Sequence, residues 1–190
     1  MATRGAYAKG VAKREEILDA ALAVVAEHGY RKASVREIAD AAGLSPAGIL
    51  HYFGSKEELF VAILRARDAR DEQRYADEDD ATTAFLSVMR HNASVPGLVQ
   101  LYAQLAAEAG DPTHPAHAYF RERTAHVEAF MRGQILDDQQ AGRIRADLDP
   151  DWIMRAVHAL ADGLQTAWML DPTLDMAAEI EQFLVLLRPA

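Results

Sequence analysis

The chain has 190 residues, half of them apolar, and no cysteine, so disulfides and thiolate metal sites are excluded. The formal net charge of −9 lies in residues 61–190, because residues 1–60 hold eight basic and eight acidic side chains. No apolar stretch is long enough to span a membrane, and the first ten residues lack the apolar core of a secretory signal, so we expect a soluble, cytoplasmic protein.

The first predicted helix runs from about Val11 to His28. Two glycines among the first ten residues disfavour an earlier start, so residues 1–12 are predicted to form a basic arm. Apolar residues recur at helical spacing between Ile17 and Val25, which gives this helix one face for a core. Gly29 is its predicted C-terminal stop.

Residues 34–53 are predicted to form two short helices joined by a tight turn. Ser34 and Glu37 have the spacing of a capping box, in which each side chain satisfies a free amide at the helix start. Gly43 ends the first helix, because only glycine adopts the left-handed conformation there without strain. Ser45 then caps a second helix, which opens with a proline.

The second short helix has one face for the core and one for a ligand. Ile49 and Phe53 lie four residues apart and are predicted to point inward. The other face begins with small residues, which would let the backbone approach base edges, and ends with His51 and Tyr52, whose polar rings could reach bases or phosphates. This pattern suits the major groove of DNA.

These residues resemble the helix-turn-helix of the TetR family of transcriptional regulators. The match continues over Ile17–Tyr30 and Phe53–Leu64, so it is close over about the first third of the chain and generic beyond it. The resemblance implies a homodimer that represses transcription from a palindromic operator and releases DNA when a small molecule binds. It also implies that the arm can contact DNA through Arg4 and Lys9. We predict no enzymatic activity, no cofactor and no metal.

The predicted DNA contacts lie in this helix-turn-helix and at the start of the next helix. Leu50 departs from the family, which more often has tyrosine there; it could meet a thymine methyl but cannot donate to phosphate. Lys56 lies in the first turn of the next helix, where a cation and free amides could meet one phosphate. Arg31 and Lys32, in the loop before Ser34, could also touch phosphate, although as solvated loop charges they need no such role. As an alternative, His51 and Tyr52 are ordinary surface aromatics. The predicted contacts are Ser34, Arg36, Ser45, Pro46, Ala47, Gly48, Leu50, His51, Tyr52 and Lys56.

The rest of the chain also consists of predicted helices, without a convincing strand or an internal repeat. The fold class is therefore all-α: a three-helix helix-turn-helix domain over residues 13–73 and a helical effector-binding and dimerisation domain over residues 74–190. A fourth helix, to about Tyr75, passes from the first domain into the second, and an acidic loop follows it at Ala76–Thr82. The remaining helices are predicted at about 82–91, 96–108, 115–136, 151–170 and 176–187.

Aromatic, methionine and polar residues of the second domain could line an effector pocket, because such pockets use this composition. Each residue taken singly fits a core or surface position better. The predicted pocket residues are Tyr102, His126, Phe130, Met131, His158, Asp162, Gln165 and Trp168.

The last two helices carry more apolar surface than one core needs, and their small residues would let a partner helix approach closely. The resemblance implies that they pair with the same helices of a second copy. The predicted interface residues are Ala156, Leu160, Gly163, Ala167, Ile180, Phe183, Leu184 and Leu187.

Two other classes of protein remain open. His114, His117, His126 and Glu122 would be the ligands of a metal-dependent enzyme built on a helical bundle, but their spacing matches no standard zinc pattern. A helical dimeric interaction protein without DNA binding is the second alternative. Salt-dependent DNA binding would separate it from a regulator.

Overall fold

The computed structural model describes residues 2–30, 32–78 and 80–189, and for residues 2–7 it describes the backbone alone. The predictions for Arg31 and for the side chain of Arg4 therefore lie outside the described residues. Within the described ranges the chain forms nine helices and no strand, which confirms the all-α prediction. They are α1 (Ala2–His28), α2 (Val35–Ala41), α3 (Pro46–Phe53), α4 (Lys56–Arg74), α5 (Ala81–Ser94), α6 (Pro96–Glu108), α7 (Pro115–Gln140), α8 (Pro150–Leu170) and α9 (Met176–Leu186).

The largest difference between predicted and observed helix bounds is at the start of α1. The helix begins at Ala2 rather than at Val11, so the predicted helix start is wrong, and the backbone of residues 2–10 is helical. Gly5 and Gly10 each cost about 1 kcal/mol relative to alanine, but the alanines, lysine and arginine around them are strong helix formers. Glycine therefore weakens this end of the helix without stopping it.

The chain divides into two compact units. The first comprises Met1–Asp71 and Val95–His117, and the second comprises Glu72–Ser94 and Ala118–Ala190. The predicted boundary after residue 73 lies close to the end of the first segment. However, α6 belongs to the first unit, whereas the sequence placed it in the second domain.

The first unit is built around α1, which packs against α2 and α6, while α2 packs against α3. Ile17, Ile38 and Ile49, one from each of the first three helices, are completely buried. Full burial of one such side chain contributes about 1.5–3 kcal/mol.

The contact between α6 and α1 depends on a glycine at the start of α6. A Cβ atom at Gly97 would overlap the backbone carbonyl of Val25 and lie 3.0 Å from the Cα of Gly29. The two helices can therefore approach this closely only because residue 97 has no side chain, and this contact holds α6 within the first unit.

In the second unit, α9 packs against both α5 and α8. A cluster of buried apolar side chains joins the end of α7 to α8 and to the residue that follows α9; its members are Ile135, Ile153, Met154, Val157 and Leu187. Across the described residues, no helix combines the length and the apolar character that a membrane crossing requires.

Candidate nucleic-acid interface

The start of α2 is fixed by the predicted capping box. The Glu37 amide donates to the Ser34 hydroxyl oxygen at 3.2 Å, and the Ser34 amide donates to the Glu37 carboxylate at 2.8 Å. The hydrogen bond from the Ser34 amide is the main reason, and that with the Ser34 side chain the second, why the pKa of Glu37 lies below its ordinary value, since both stabilise the ionised carboxylate. Two of the free amides at this helix end are thus satisfied within the chain.

The turn between α2 and α3 is closed by a Schellman motif. Gly43 has a φ of +65°, which confirms the predicted left-handed glycine. Its amide donates to the Asp40 carbonyl at 3.3 Å, and the Leu44 amide donates to the Ala39 carbonyl at 2.9 Å. The backbone alone therefore sets the angle at which the chain enters α3.

The two faces of α3 are divided as the sequence predicts. The Ser45 hydroxyl accepts from the Gly48 amide at 3.1 Å and caps the helix. Ile49 is completely buried and Phe53 is nearly so, which anchors one face in the core of the first unit. On the other face His51 is exposed and Tyr52 is half-buried, and their rings meet edge to face with centroids 5.9 Å apart.

A second capping box starts α4 directly after α3. The Glu58 amide donates to the Ser55 hydroxyl oxygen at 3.0 Å, and the Ser55 amide donates to the Glu58 carboxylate at 3.1 Å. Gly54 joins the two helices with a φ of +86°. Lys56, the first residue of α4, is exposed, and its ammonium lies 5.4 Å from the centroid of the Phe60 ring.

None of the ten predicted DNA contacts is fully buried, and their contact with DNA stays a prediction. Seven of them are exposed: Ser34, Arg36, Ser45, Pro46, Ala47, His51 and Lys56. Three are half-buried: Gly48, Leu50 and Tyr52.

Two basic residues of α1 reach the same helices by a route that the sequence does not predict. The Arg14 guanidinium donates through Nη1 to the Tyr52 carbonyl at 2.6 Å, and the Lys13 ammonium lies 3.4 Å from the Ala42 carbonyl. The partner carbonyls, of Ala42 and Tyr52, are far from these cations along the chain, so the sequence gives no direct sign of either contact. It shows only that both cations lie one turn before the apolar Ile17 of α1.

The predicted effector residues are distributed over both units. Tyr102 belongs to the first unit, where it is buried with its ring centroid 5.1 Å from the Arg67 guanidinium carbon. The remaining seven belong to the second unit. Of these, Gln165 and Trp168 are buried and lie one turn apart on α8.

The other predicted pocket residues of the second unit are more accessible. Met131 and His158 are half-buried, and the His158 ring lies 3.8 Å from the carboxylate of the exposed Asp162. Phe130 is 56% exposed, and the exposed His126 ring lies 3.2 Å from the Glu72 carboxylate. Phe130 and His126 are therefore surface residues of this unit, and an effector pocket stays a prediction.

The predicted interface residues of α8 and α9 include two that must be corrected. Ile180 and Leu187 are 0% and 3% exposed, so they belong to the core of the protomer and offer no surface to a second copy. The apolar face of an amphipathic helix looks the same in sequence whether it meets its own core or a partner. Ala156, Leu160, Phe183 and Leu184 are half-buried, and Gly163 and Ala167 are exposed. Four exposed large apolar residues of these helices lie outside the predicted set: Trp152, Leu170, Val185 and Leu186.

Two of the histidines considered as metal ligands, His114 and His117, have other partners near the start of α7. The Nδ1 atom of His114 accepts from the Ala116 amide at 3.1 Å, and Nε2 lies 3.4 Å from the Glu108 carboxylate. His117 Nδ1 lies 2.8 Å from the Ala109 carbonyl oxygen. In the part of the chain that the structure describes, no group of three His, Cys, Asp or Glu side chains is arranged to hold a metal ion.

Known proteins resemble the chain in both sequence and fold. Residues 17–63 match the family described as bacterial regulatory proteins, tetR family. The chain is 30% identical over 156 residues to the HTH-type transcriptional repressor Rv1474c of Mycobacterium tuberculosis, covering 80% of each protein. It is 29% identical to the HTH-type transcriptional repressor AcnR of Corynebacterium efficiens, covering 82% of this chain and 81% of that protein.

The similarity in fold extends over almost the whole chain. A TetR transcription regulator from Haloarcula marismortui superposes on it with a TM-score of 0.75 at 23% identity. The superposition covers 93% of this chain and 98% of that one.

Proposed function

Because the chain belongs to the TetR family of bacterial regulatory proteins, we propose that it represses transcription by binding an operator through α3 and releases that operator when a small molecule binds. Proteins of this family are regulators of transcription, not enzymes. The chemistry of this chain is therefore recognition, and its protein surface must distinguish one DNA sequence from others.

The observation that carries the proposal is the presentation of α3. Its buried residues Ile49 and Phe53 anchor it, while a Schellman motif before it and a capping box after it fix both ends. The exposed Pro46 and Ala47 allow the backbone to approach base edges in a major groove about 12 Å wide. His51, farther along the same face, supplies a ring nitrogen that can donate to or accept from a base.

Phosphate contacts would flank this helix on the proposed interface. Lys56 is the first residue of α4, so a phosphate at this helix start could meet both its ammonium and the amides that the capping box leaves free. Arg36 in α2 is a second exposed cation on the helix-turn-helix. Such contacts set the register of the protein on the duplex, and base contacts from α3 supply the sequence preference.

We further propose a homodimer formed through α8 and α9. The support is the apolar surface that these helices leave accessible, since Leu170 is 86% exposed and Leu186 is 73% exposed. An isologous interface would bury the same residues on both copies. Two α3 helices about 34–36 Å apart would then read a palindromic operator.

Release by an effector requires a difference in its affinity for the DNA-binding and the released conformations. A typical coupling of about 1–3 kcal/mol would weaken operator binding about 5–150-fold. The buried Gln165 and Trp168 of α8, with the half-buried His158, are the polar and aromatic groups that we propose for effector contact in the second unit. We propose the cytoplasm as the place of action, since the DNA target lies there.

In vitro selection of DNA from a random library tests this function. We expect the protein to enrich a palindromic sequence and to bind it with an affinity that falls steeply as salt is raised, because phosphate contacts release counterions. Failure to enrich any sequence, or binding that does not respond to salt, would instead favour a helical dimer that does not bind DNA. Small molecules can then be screened for release of the selected operator.

A further inference from the structure

Arg14 of α1 makes two contacts with the end of α3 that lies farthest from the turn. Its Nη1 atom donates to the Tyr52 carbonyl at 2.6 Å, and its guanidinium carbon lies 4.1 Å from the centroid of the Phe53 ring. The side chain is half-buried, although it lies in the most basic segment of the chain. One cation therefore holds both the backbone and an anchoring side chain of α3.

The chemistry of a helix end makes this carbonyl a good partner for a cation. The last four carbonyls of an α-helix have no partner within it, and together they form the negative end of the helix dipole. A hydrogen bond from a charged donor at 2.6 Å is short and strong for its class. The planar guanidinium can also stack on an aromatic face, which an ammonium does less well.

The neighbouring Lys13 provides an internal comparison. Its ammonium reaches the Ala42 carbonyl at the end of α2 at 3.4 Å, and it is shared with the Glu16 carboxylate at 2.9 Å. The Lys13 contact with the helix-turn-helix is thus longer, and its charge is partly neutralised. Of these two cations, Arg14 is the one whose geometry fixes a helix end.

We propose that Arg14 is a positioning residue for sequence recognition: it fixes the C-terminal half of α3, and therefore the direction in which His51 and Tyr52 point, without touching DNA itself. The proposal rests on the proposed function of α3. The backbone unit between Tyr52 and Phe53 is held from α1, and His51 packs edge to face on Tyr52. A shift of that unit would move the base-reading ring.

A positioning role and a phosphate contact give opposite results as the salt concentration is varied. The slope of log affinity against log salt is negative. Removing a phosphate contact makes it shallower by about 0.9 and weakens binding to all sequences. Removing a positioning contact leaves the slope unchanged and lowers the ratio of operator affinity to non-specific affinity. It also relaxes base preference only at the positions read by the C-terminal half of α3.

The test compares Arg14→Met with the matched control Lys13→Met, which removes the same charge one residue away. Affinities for the selected operator and for a random duplex of equal length are measured at several salt concentrations, with the unfolding temperature and helical circular dichroism of each variant. We expect Arg14→Met to lower the operator-to-random ratio about tenfold with an unchanged slope, because the free end of α3 must then be ordered when it binds the operator. Lys13→Met should change the ratio much less. Arg14→Lys keeps the positive charge but loses the planar guanidinium that stacks on Phe53, so its operator-to-random ratio should lie between those of Arg14→Met and the wild type.

Three results would overturn the proposal. A salt slope that is shallower by about 0.9, with an unchanged operator-to-random ratio, would make Arg14 a phosphate contact. Equal loss of base preference at every operator position, together with a lower unfolding temperature, would make its role one of general stability. A ratio unchanged from the wild type would remove the role altogether. Failure of the proposed function is distinguishable, since it would appear as a wild-type protein that selects no sequence.

Discussion

Gly54, between α3 and α4, offers the most quantitative test of how the recognition helix is held. Its φ of +86° is unfavourable for any residue with a side chain, and a Cβ atom there would overlap the Glu58 carboxylate of the second capping box. Alanine at this position must therefore adopt a strained backbone and also displace the cap. Gly43 provides a comparison without the overlap, because its φ is also positive, at +65°, but no atom lies within 4 Å of its added Cβ.

The expected magnitudes follow from these two differences. A left-handed conformation costs alanine about 1–2 kcal/mol, and about 0.4–1 kcal/mol of this is offset because alanine restricts the unfolded chain. Gly43→Ala should therefore lower the free energy of unfolding by about 1 kcal/mol. Gly54→Ala should cost at least about 1 kcal/mol more, since the cap on α4 is lost as well and its ψ of −65° lies outside the left-handed helical region. For a chain of this length that is a fall in unfolding temperature of about 4–8 °C for Gly54→Ala, against about 2–4 °C for Gly43→Ala.

A double-mutant cycle isolates the contribution of the cap. Thermal unfolding is measured for Gly54→Ala, Glu58→Ala and the double variant at one fixed protein concentration, because a dimer makes the unfolding temperature concentration-dependent. In the Glu58→Ala background the overlapping carboxylate is absent, so Gly54→Ala should cost about 1 kcal/mol less than in the wild type. If its cost is the same in both backgrounds, the contact between Gly54 and Glu58 does not limit this position and the reasoning is refuted.

Further predictions concern DNA contact, acid stability and assembly. Lys56→Ala should weaken binding to all duplexes about equally and make the negative slope of log affinity against log salt shallower by about 0.9; an unchanged slope would exclude a phosphate contact. His51→Ala should alter base preference at one position of each half-site in a repeated selection, and an identical consensus would exclude base reading. Because folding lowers the pKa of Glu37, its ionised form contributes stability that is present above the ordinary pKa of 4.5 and is lost as the pH falls through the folded value. The difference in unfolding temperature between wild type and Glu37→Gln should therefore shrink on acidification, and a constant difference would contradict the capping account. Leu186→Glu should give a monomer by sedimentation while Val11→Glu, at another exposed apolar residue, does not; a dimeric Leu186→Glu would exclude this interface.

Features set by neighbouring residues could be predicted from the sequence. The capping box of Ser34 and Glu37, the left-handed Gly43 and the proline start of α3 depend on chemistry within four or five positions, and all are present in the structure. The start of α1 was mispredicted because helix propensity around Gly5 and Gly10 outweighs their individual cost.

Features set by distant residues could not be predicted in the same way. The sequence does not reveal that Gly97 faces the backbone of Val25, which is why the membership of α6 in the first unit was missed. The hydrogen bond between Arg14 and Tyr52 joins residues 38 positions apart. Ile180 was assigned to the wrong surface because periodicity marks an apolar face without identifying what covers it.

Dimethyl sulfate footprinting of the selected operator tests most directly whether α3 lies in the major groove. The reagent methylates guanine N7 in the major groove and adenine N3 in the minor groove, so it reports the two grooves separately. We expect protection of guanine N7 in two half-sites whose centres are about 10–10.5 base pairs or a multiple of that distance apart. Protection confined to adenine N3, or a footprint without paired half-sites, would contradict the account.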